Sequence, residues 1–323
     1  MNSEDNRRRK RRWGFIYIGT FIAVFAISAI FKMTYSPLSG EMKVNWNDSV
    51  GHIYTDIAYG DQEKNKFDLY VPADHTKKHY GLVVYLHAGG FTGGDKSDDV
   101  TMLKWLTSKG YVAAGINYTL RDDNNPQASV YTMSQEIKKS MPIVKAEAQK
   151  LGYDLDHMAI AGGSAGGTLA LLYAYRDADT SPIPVKMVFE MVGPPSFYHK
   201  DWTNYGLDKN PEAAAGLFSI MSGSHITPDM IGTERYIEAV KDISPYMWIH
   251  ANSVPTLAGY GRYDKVAPFG SVKYLVNALK ANNVPYDYFE FPHSGHGLQN
   301  DNKIYAQYIN KLNEYLEHYM GSN

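Results

Sequence analysis

Residues 159–171 read AIAGGSAGGTLAL: an apolar run, one serine enclosed by four glycines, then a second apolar run. Glycine weakens the interior of a strand or helix, so this concentration around a single hydroxyl needs a structural reason. The flanks supply one. HMAIAG (157–162) has the length and composition of a buried strand, and a helix is expected to begin near Ala165, which leaves Ser164 in the turn between them. A strand that passes directly into a helix holds its turn residue in strained backbone and needs small neighbours where the two elements meet. Gly162-Gly163-Ser164-Ala165-Gly166 meets both requirements. A phosphate-binding loop does not fit, because no lysine follows in Walker spacing and Ser164 stands where the G-x-G-x-x-G pattern needs glycine.

Outward from this turn the chain alternates between strand and helix patterns. HIYTDIAY and KFDLYV form an opening pair of strands, followed by the strand LVVYLH, the helix SDDVTMLKWLTSKG and the strand YVAAGINY. ASVYTMSQEIKKSMPIVKAEAQKLG reads as a long helix despite Pro142. After the glycine cluster come the helix TLALLYAY, the strand KMVFEMV and an aromatic-rich stretch from Pro194 to Pro255 with two helices. TLAGYG (strand), GSVKYLVNALKANN (helix), YDYFEF (strand) and KIYAQYINKLNEYLEHYM (helix) complete the chain. Such alternation predicts an α/β fold, with a mostly parallel sheet covered by helices on both faces.

A serine hydroxyl is a weak nucleophile until a base takes its proton and a third group orients that base. FPHSGHGL (291–298), after the last strand, offers His296 between two glycines, with His293 as the competing base. The acid should fall between serine and histidine in chain order. Asp264, just past the strand TLAGYG, fits that place; Asp287 and Glu290 lie within a strand pattern and are weaker alternatives. LVVYLHAGGFTGG (82–94) ends a buried strand in His87-Ala88-Gly89-Gly90, where small residues let backbone N–H groups approach an oxyanion. The expected donors are the amides of Gly89, Gly90 and Ala165, with His87 bracing the loop by a hydrogen bond. Phe91, Phe197, Tyr198, Trp248 and His87 are candidates for substrate contact, although the aromatic residues serve equally well as the core of a cap.

Composition narrows the chemistry. The 323 residues contain no cysteine, which excludes disulfides, thiolate zinc sites and thiol catalysis, and a net charge of −2 provides no basic field for nucleic acid. NRRRKRR (6–12) precedes an uncharged apolar stretch at 13–31 that is long enough to cross a hydrocarbon core of about 30 Å. The positive-inside bias then predicts a cytoplasmic basic segment at 1–12, a transmembrane signal anchor at 13–31, a tether at 32–50 and an outward-facing catalytic domain at 51–323, with a cap-like insertion at about 194–254. A cleaved signal peptide, with secretion of the remainder, is the alternative. Nothing in the sequence points to an oligomeric state.

HAGG, GGSAGG, GRYDKVAP and HSGHG, in this order and spacing, resemble the α/β-hydrolase superfamily, nearest to the hormone-sensitive-lipase-like and acetyl-esterase or feruloyl-esterase-like carboxylesterases. The resemblance runs from about Thr55 to the C-terminus. It implies an α/β-hydrolase fold and a serine esterase acting on small carboxylic esters, with Ser164, Asp264 and His296 as the triad and no metal or organic cofactor. Two departures stand out: Ala88 replaces the second residue of an HGGG loop, and Asn117-Tyr118-Thr119 departs from the usual Tyr-Arg pair. A serine peptidase of the same superfamily and a catalytically inactive surface binding protein are the other classes the pattern admits.

Overall fold

Three of the predicted strands are buried at every residue, which only a sheet covered on both faces allows. These are β3 (Tyr80–Leu86), β4 (Val112–Ile116) and β7 (Thr256–Gly261). A computed structural model of the protein describes residues 42–321. In chain order the elements are β1 (Gly51–Ala58), β2 (Lys66–Pro72), β3, α1 (Val100–Ser108), β4, α2 (Val130–Lys150), β5 (Leu155–Gly163), α3 (Ala165–Leu172), β6 (Val185–Met191), α4 (Pro211–Ser222), α5 (Glu234–Lys241), β7, α6 (Val272–Ala281), β8 (Tyr286–Phe291) and α7 (Asn302–Met320). The strands form one eight-stranded sheet in the order β1-β2-β4-β3-β5-β6-β7-β8. The β1–β2 and β2–β4 pairs are antiparallel and the remaining pairs are parallel.

The parallel register sets the carboxyl ends of β3, β5, β7 and β8 along one edge. The loops that follow them carry His87, Ser164, Asp264 and His296 in that order. Strand order reverses around β3, and ligands of open α/β sheets bind in the crevice at such a reversal.

Proline inside α2 does not break the helix. Pro142 is exposed, so it stands on the solvent side of the helix, where the loss of one ladder hydrogen bond costs least. Between β6 and β7 the chain carries α4 and α5, the two helices expected there, joined by short 3₁₀ turns. Their interior is aromatic: Phe197 stacks on Trp202 at 5.5 Å, Phe218 meets Tyr236 edge-on at 5.7 Å, and the Tyr236 hydroxyl donates to the Phe197 carbonyl. The basic segment 1–12, the proposed anchor 13–31 and the first part of the tether lie outside the described residues. Among the described residues no helix is long and apolar enough to cross a membrane.

Candidate active site

Ser164 sits at the turn between β5 and α3 with φ 52° and ψ −118°, a conformation that non-glycine residues rarely adopt. Its N–H donates to the Met191 carbonyl at 2.8 Å, which ties the turn to the end of β6. The glycines on either side answer to close approach. A Cβ on Gly166 would stand 1.9 Å from the Leu86 carbonyl oxygen, and one on Gly162 would stand 2.4 Å from the Gly166 carbonyl carbon. Both are far inside contact distance, so the turn closes only with glycine at these positions.

The structure brings the three separated motifs together. His296 Nε2 lies 2.8 Å from Ser164 Oγ, and His296 Nδ1 lies 2.7 Å from Asp264 Oδ2. A carboxylate only accepts, so Nδ1 carries the proton and Nε2 is free to accept from the Ser164 hydroxyl. The other Asp264 oxygen, Oδ1, accepts the amides of Val266 and Ala267 at 2.8 and 2.9 Å. With its side chain only 1% exposed, Asp264 is therefore fixed in orientation. The competing residues are engaged elsewhere: His293 pairs with Asp301 at 2.8 Å, Glu290 faces Arg262 across 3.5 Å, and Asp287 lies in the β7–β8 register.

The expected oxyanion donors occupy a loop and a helix start. Gly89 (φ 129°) and Gly90 (φ 61°) follow β3, and the loop closes through Thr92 and Gly93 N–H donation to the Gly89 carbonyl. Those bonds use an acceptor of Gly89 and leave the amides of Gly89 and Gly90 uncommitted. Ala165 is the first residue of α3, where the N–H has no partner in the helix ladder and the helix dipole favours negative charge.

His87 and Phe197, both expected as candidates for substrate contact, are buried. His87 is 1% exposed and stacks on Tyr118 at 4.3 Å, and its Nδ1–H donates to the Ala88 carbonyl at 2.7 Å. Burial holds its pKa below the usual value, so the ring is neutral and braces the loop from behind. Phe197 is 0% exposed and belongs to the aromatic interior described above. Trp248 is half-buried, its indole N–H donating to the Lys241 carbonyl, and half-buried Tyr198 meets Tyr274 edge-on. Phe91, by contrast, lines a cavity of about 100 Å³ together with Gly90. Its lining also includes Leu217, Ile220 and Met221 of α4, which the sequence did not single out.

Behind the serine turn lies a carboxyl that sequence reasoning also missed. Glu190 on β6 is buried, pairs in register with Gly162, and accepts the Gly193 N–H at 2.8 Å. Tyr85, Tyr175, Tyr260, Tyr288 and Tyr308 surround it from five different elements. Burial is the largest influence and no cation counters it, so its pKa is pushed up from 4.5 to about 8. The folded form holds a proton that the unfolded chain has released. The associated stability is therefore fully present below pH 4.5 and is lost as pH rises to about 8. Urea unfolding of Glu190→Gln across pH 5 to 8 is expected to show a flatter pH dependence than the wild type. Parallel curves would mean that Glu190 is already ionised in the fold.

The sheet order, the strained serine turn and the loops at the carboxyl edge define a member of the α/β-hydrolase class. Residues 67–279, about two-thirds of the chain, match the BD-FAE family model, and the chain belongs to that family. It is 23% identical over 253 residues to esterase LipC and 25% identical over 261 residues to the probable carboxylic ester hydrolase LipM, both of Mycobacterium tuberculosis. Each alignment takes in 75% of this chain, but only 59% of LipC and 56% of LipM, so the chain spans little more than half the length of these relatives. Among solved structures, esterase B of Lactobacillus rhamnosis superposes with a TM-score of 0.63 at 19% identity, covering 92% of this chain and 93% of the other. At that identity the likeness concerns the fold.

Proposed function

We propose that the protein is a serine carboxylesterase acting on short-acyl carboxylic esters. The observation that carries this reading is the hydrogen-bonded chain from Ser164 Oγ through His296 to Asp264, at 2.8 and 2.7 Å. Ser164 Oγ attacks the ester carbonyl while His296 Nε2 takes its proton, and Asp264 holds the imidazole in the tautomer that can accept it. The amides of Gly89, Gly90 and Ala165 receive the developing oxyanion. Collapse of the tetrahedral intermediate, with His296 returning the proton to the leaving oxygen, releases the alcohol and leaves Ser164 acylated. Water activated by His296 then frees the acid and regenerates the hydroxyl. The names of the mycobacterial relatives support the ester as the bond that is cut.

The basic run at 6–12 and the apolar stretch at 13–31 support a single-pass anchor with the catalytic domain outside the cell. Initial rates of the full chain on p-nitrophenyl esters from acetate to palmitate, beside a p-nitroanilide of matched acyl group, test the enzymatic reading. Hydrolysis that is fastest on short acyl chains and at least about 100-fold slower on the anilide is expected. Comparable amide cleavage would favour the peptidase class, and no turnover of any substrate would favour a binding protein.

A further inference from the structure

The cavity beside Gly90 is almost wholly apolar, built from Phe91, Val130, Met133, Leu217, Ile220 and Met221, yet one of its lining residues is Arg121. No other lining residue carries a charge. Arg121 is held in place: its N–H donates to the Phe91 carbonyl at 3.1 Å, and its Nη1 donates to the Ala128 carbonyl at 3.1 Å. A guanidinium has five N–H donors, so most of its capacity remains open. Among the described residues no carboxylate pairs with it. The nearest acid in sequence, Asp122, is folded onto its own turn, with Oδ1 accepting from Asn124 N–H, Asn125 N–H and Asn125 Nδ2.

The position of the cavity says which part of an ester it meets. Gly90 belongs to both the cavity lining and the loop that holds the expected oxyanion amides, so an acyl group whose carbonyl oxygen lies at that loop has its chain beside the cavity. The alcohol leaves toward His296, which protonates it. A fixed, half-buried cation on an apolar wall loses hydration to a neutral chain and gains a charge-assisted hydrogen bond from an anionic one. Resting on the ester-hydrolase reading above, we infer that this cavity receives the acid component of the substrate and that Arg121 pairs with an anionic group on it. Monoesters of dicarboxylic acids are the substrate class that fits.

The test compares the full-length wild type with Arg121→Gln on three esters of matched length: monoethyl glutarate (anion in the acid part), ethyl valerate (neutral) and valeryloxyacetate (anion in the alcohol part). The ratio of kcat/KM for monoethyl glutarate over ethyl valerate is expected to fall about tenfold in Arg121→Gln, the size of one hydrogen bond to a charged group. The wild-type ratio should itself shrink when NaCl is raised to about 1 M. A melting temperature matching the wild type establishes that the variant is folded. An unchanged ratio, or equal loss on all three esters, would overturn the inference and leave Arg121 as a solvated or loop-supporting residue. Arg121 dependence confined to valeryloxyacetate would also overturn it, by moving the anion to the alcohol. Turnover of ethyl valerate without an Arg121-dependent ratio sinks this inference alone, whereas no turnover of any ester by the wild type sinks it together with the hydrolase reading.

Discussion

Ser164→Ala is expected to lower kcat on a short-chain ester by about 10⁴- to 10⁶-fold, with KM within a few-fold of the wild type and folding intact. The hydroxyl is the only group removed. The turn keeps its Ser164 N–H bond to Met191, the glycines that let β5 and α3 close are unchanged, and the oxyanion amides remain where they were. What disappears is covalent catalysis, and the residual rate reports binding and oxyanion stabilisation alone. Because Ser164 and His296 act as one unit across 2.8 Å, adding His296→Ala to the alanine variant should cost little more. Initial rates for both single variants and the double variant check this directly. Multiplicative losses would mean that the two residues act independently.

Asp264→Asn is the second large effect, at about 10⁴-fold in kcat, and its cause lies in the details of the acid's surroundings. Oδ1 of Asp264 accepts two backbone amides, from Val266 and Ala267. An asparagine keeps those bonds only by leaving its oxygen there, which turns its NH₂ group toward His296 Nδ1. That nitrogen must then accept, the ring proton moves to Nε2, and the base presents a donor to the Ser164 oxygen in place of a lone pair. The nearly complete burial of the acid removes water as a substitute orienter. The loss should be concentrated in kcat and should ease at alkaline pH, where the serine proton is more readily lost to solvent. A variant within tenfold of the wild type at neutral pH would show that Asp264 does not set the tautomer.

The separation between what was readable in the sequence and what was not follows the range of the interactions involved. The serine turn was readable because its requirement is local: strained backbone and close-approaching glycines lie within five consecutive residues. The meeting of His296 and Asp264 with Ser164 was readable because chain order and strand ends restrict where such partners can stand, and the same logic set aside His293, which is committed to Asp301. The departure at Asn117-Tyr118-Thr119 acquires its meaning only in three dimensions. Asn117 joins Asp95 to the Lys96 amide, Tyr118 supports the loop after β3 through the His87 carbonyl, and Thr119 donates twice to Glu136. Phe197 and Trp248 could not be divided between pocket and core from sequence, since an aromatic residue in an irregular stretch suits either. Glu190 and Arg121 gave no local signal at all. One acquires its importance from five tyrosines on distant elements, and the other from a cavity wall contributed by α4.

The central claim is that His296 and Asp264 make Ser164 the activated nucleophile. The most direct measurement is intact-protein and peptide mass spectrometry after brief treatment with an aryl alkylphosphonate ester, which phosphonylates an activated serine. A single adduct on the peptide containing Ser164, absent from His296→Ala under the same conditions, is the predicted result. Ester hydrolysis accompanied by an adduct on another residue, or by none, would contradict the account.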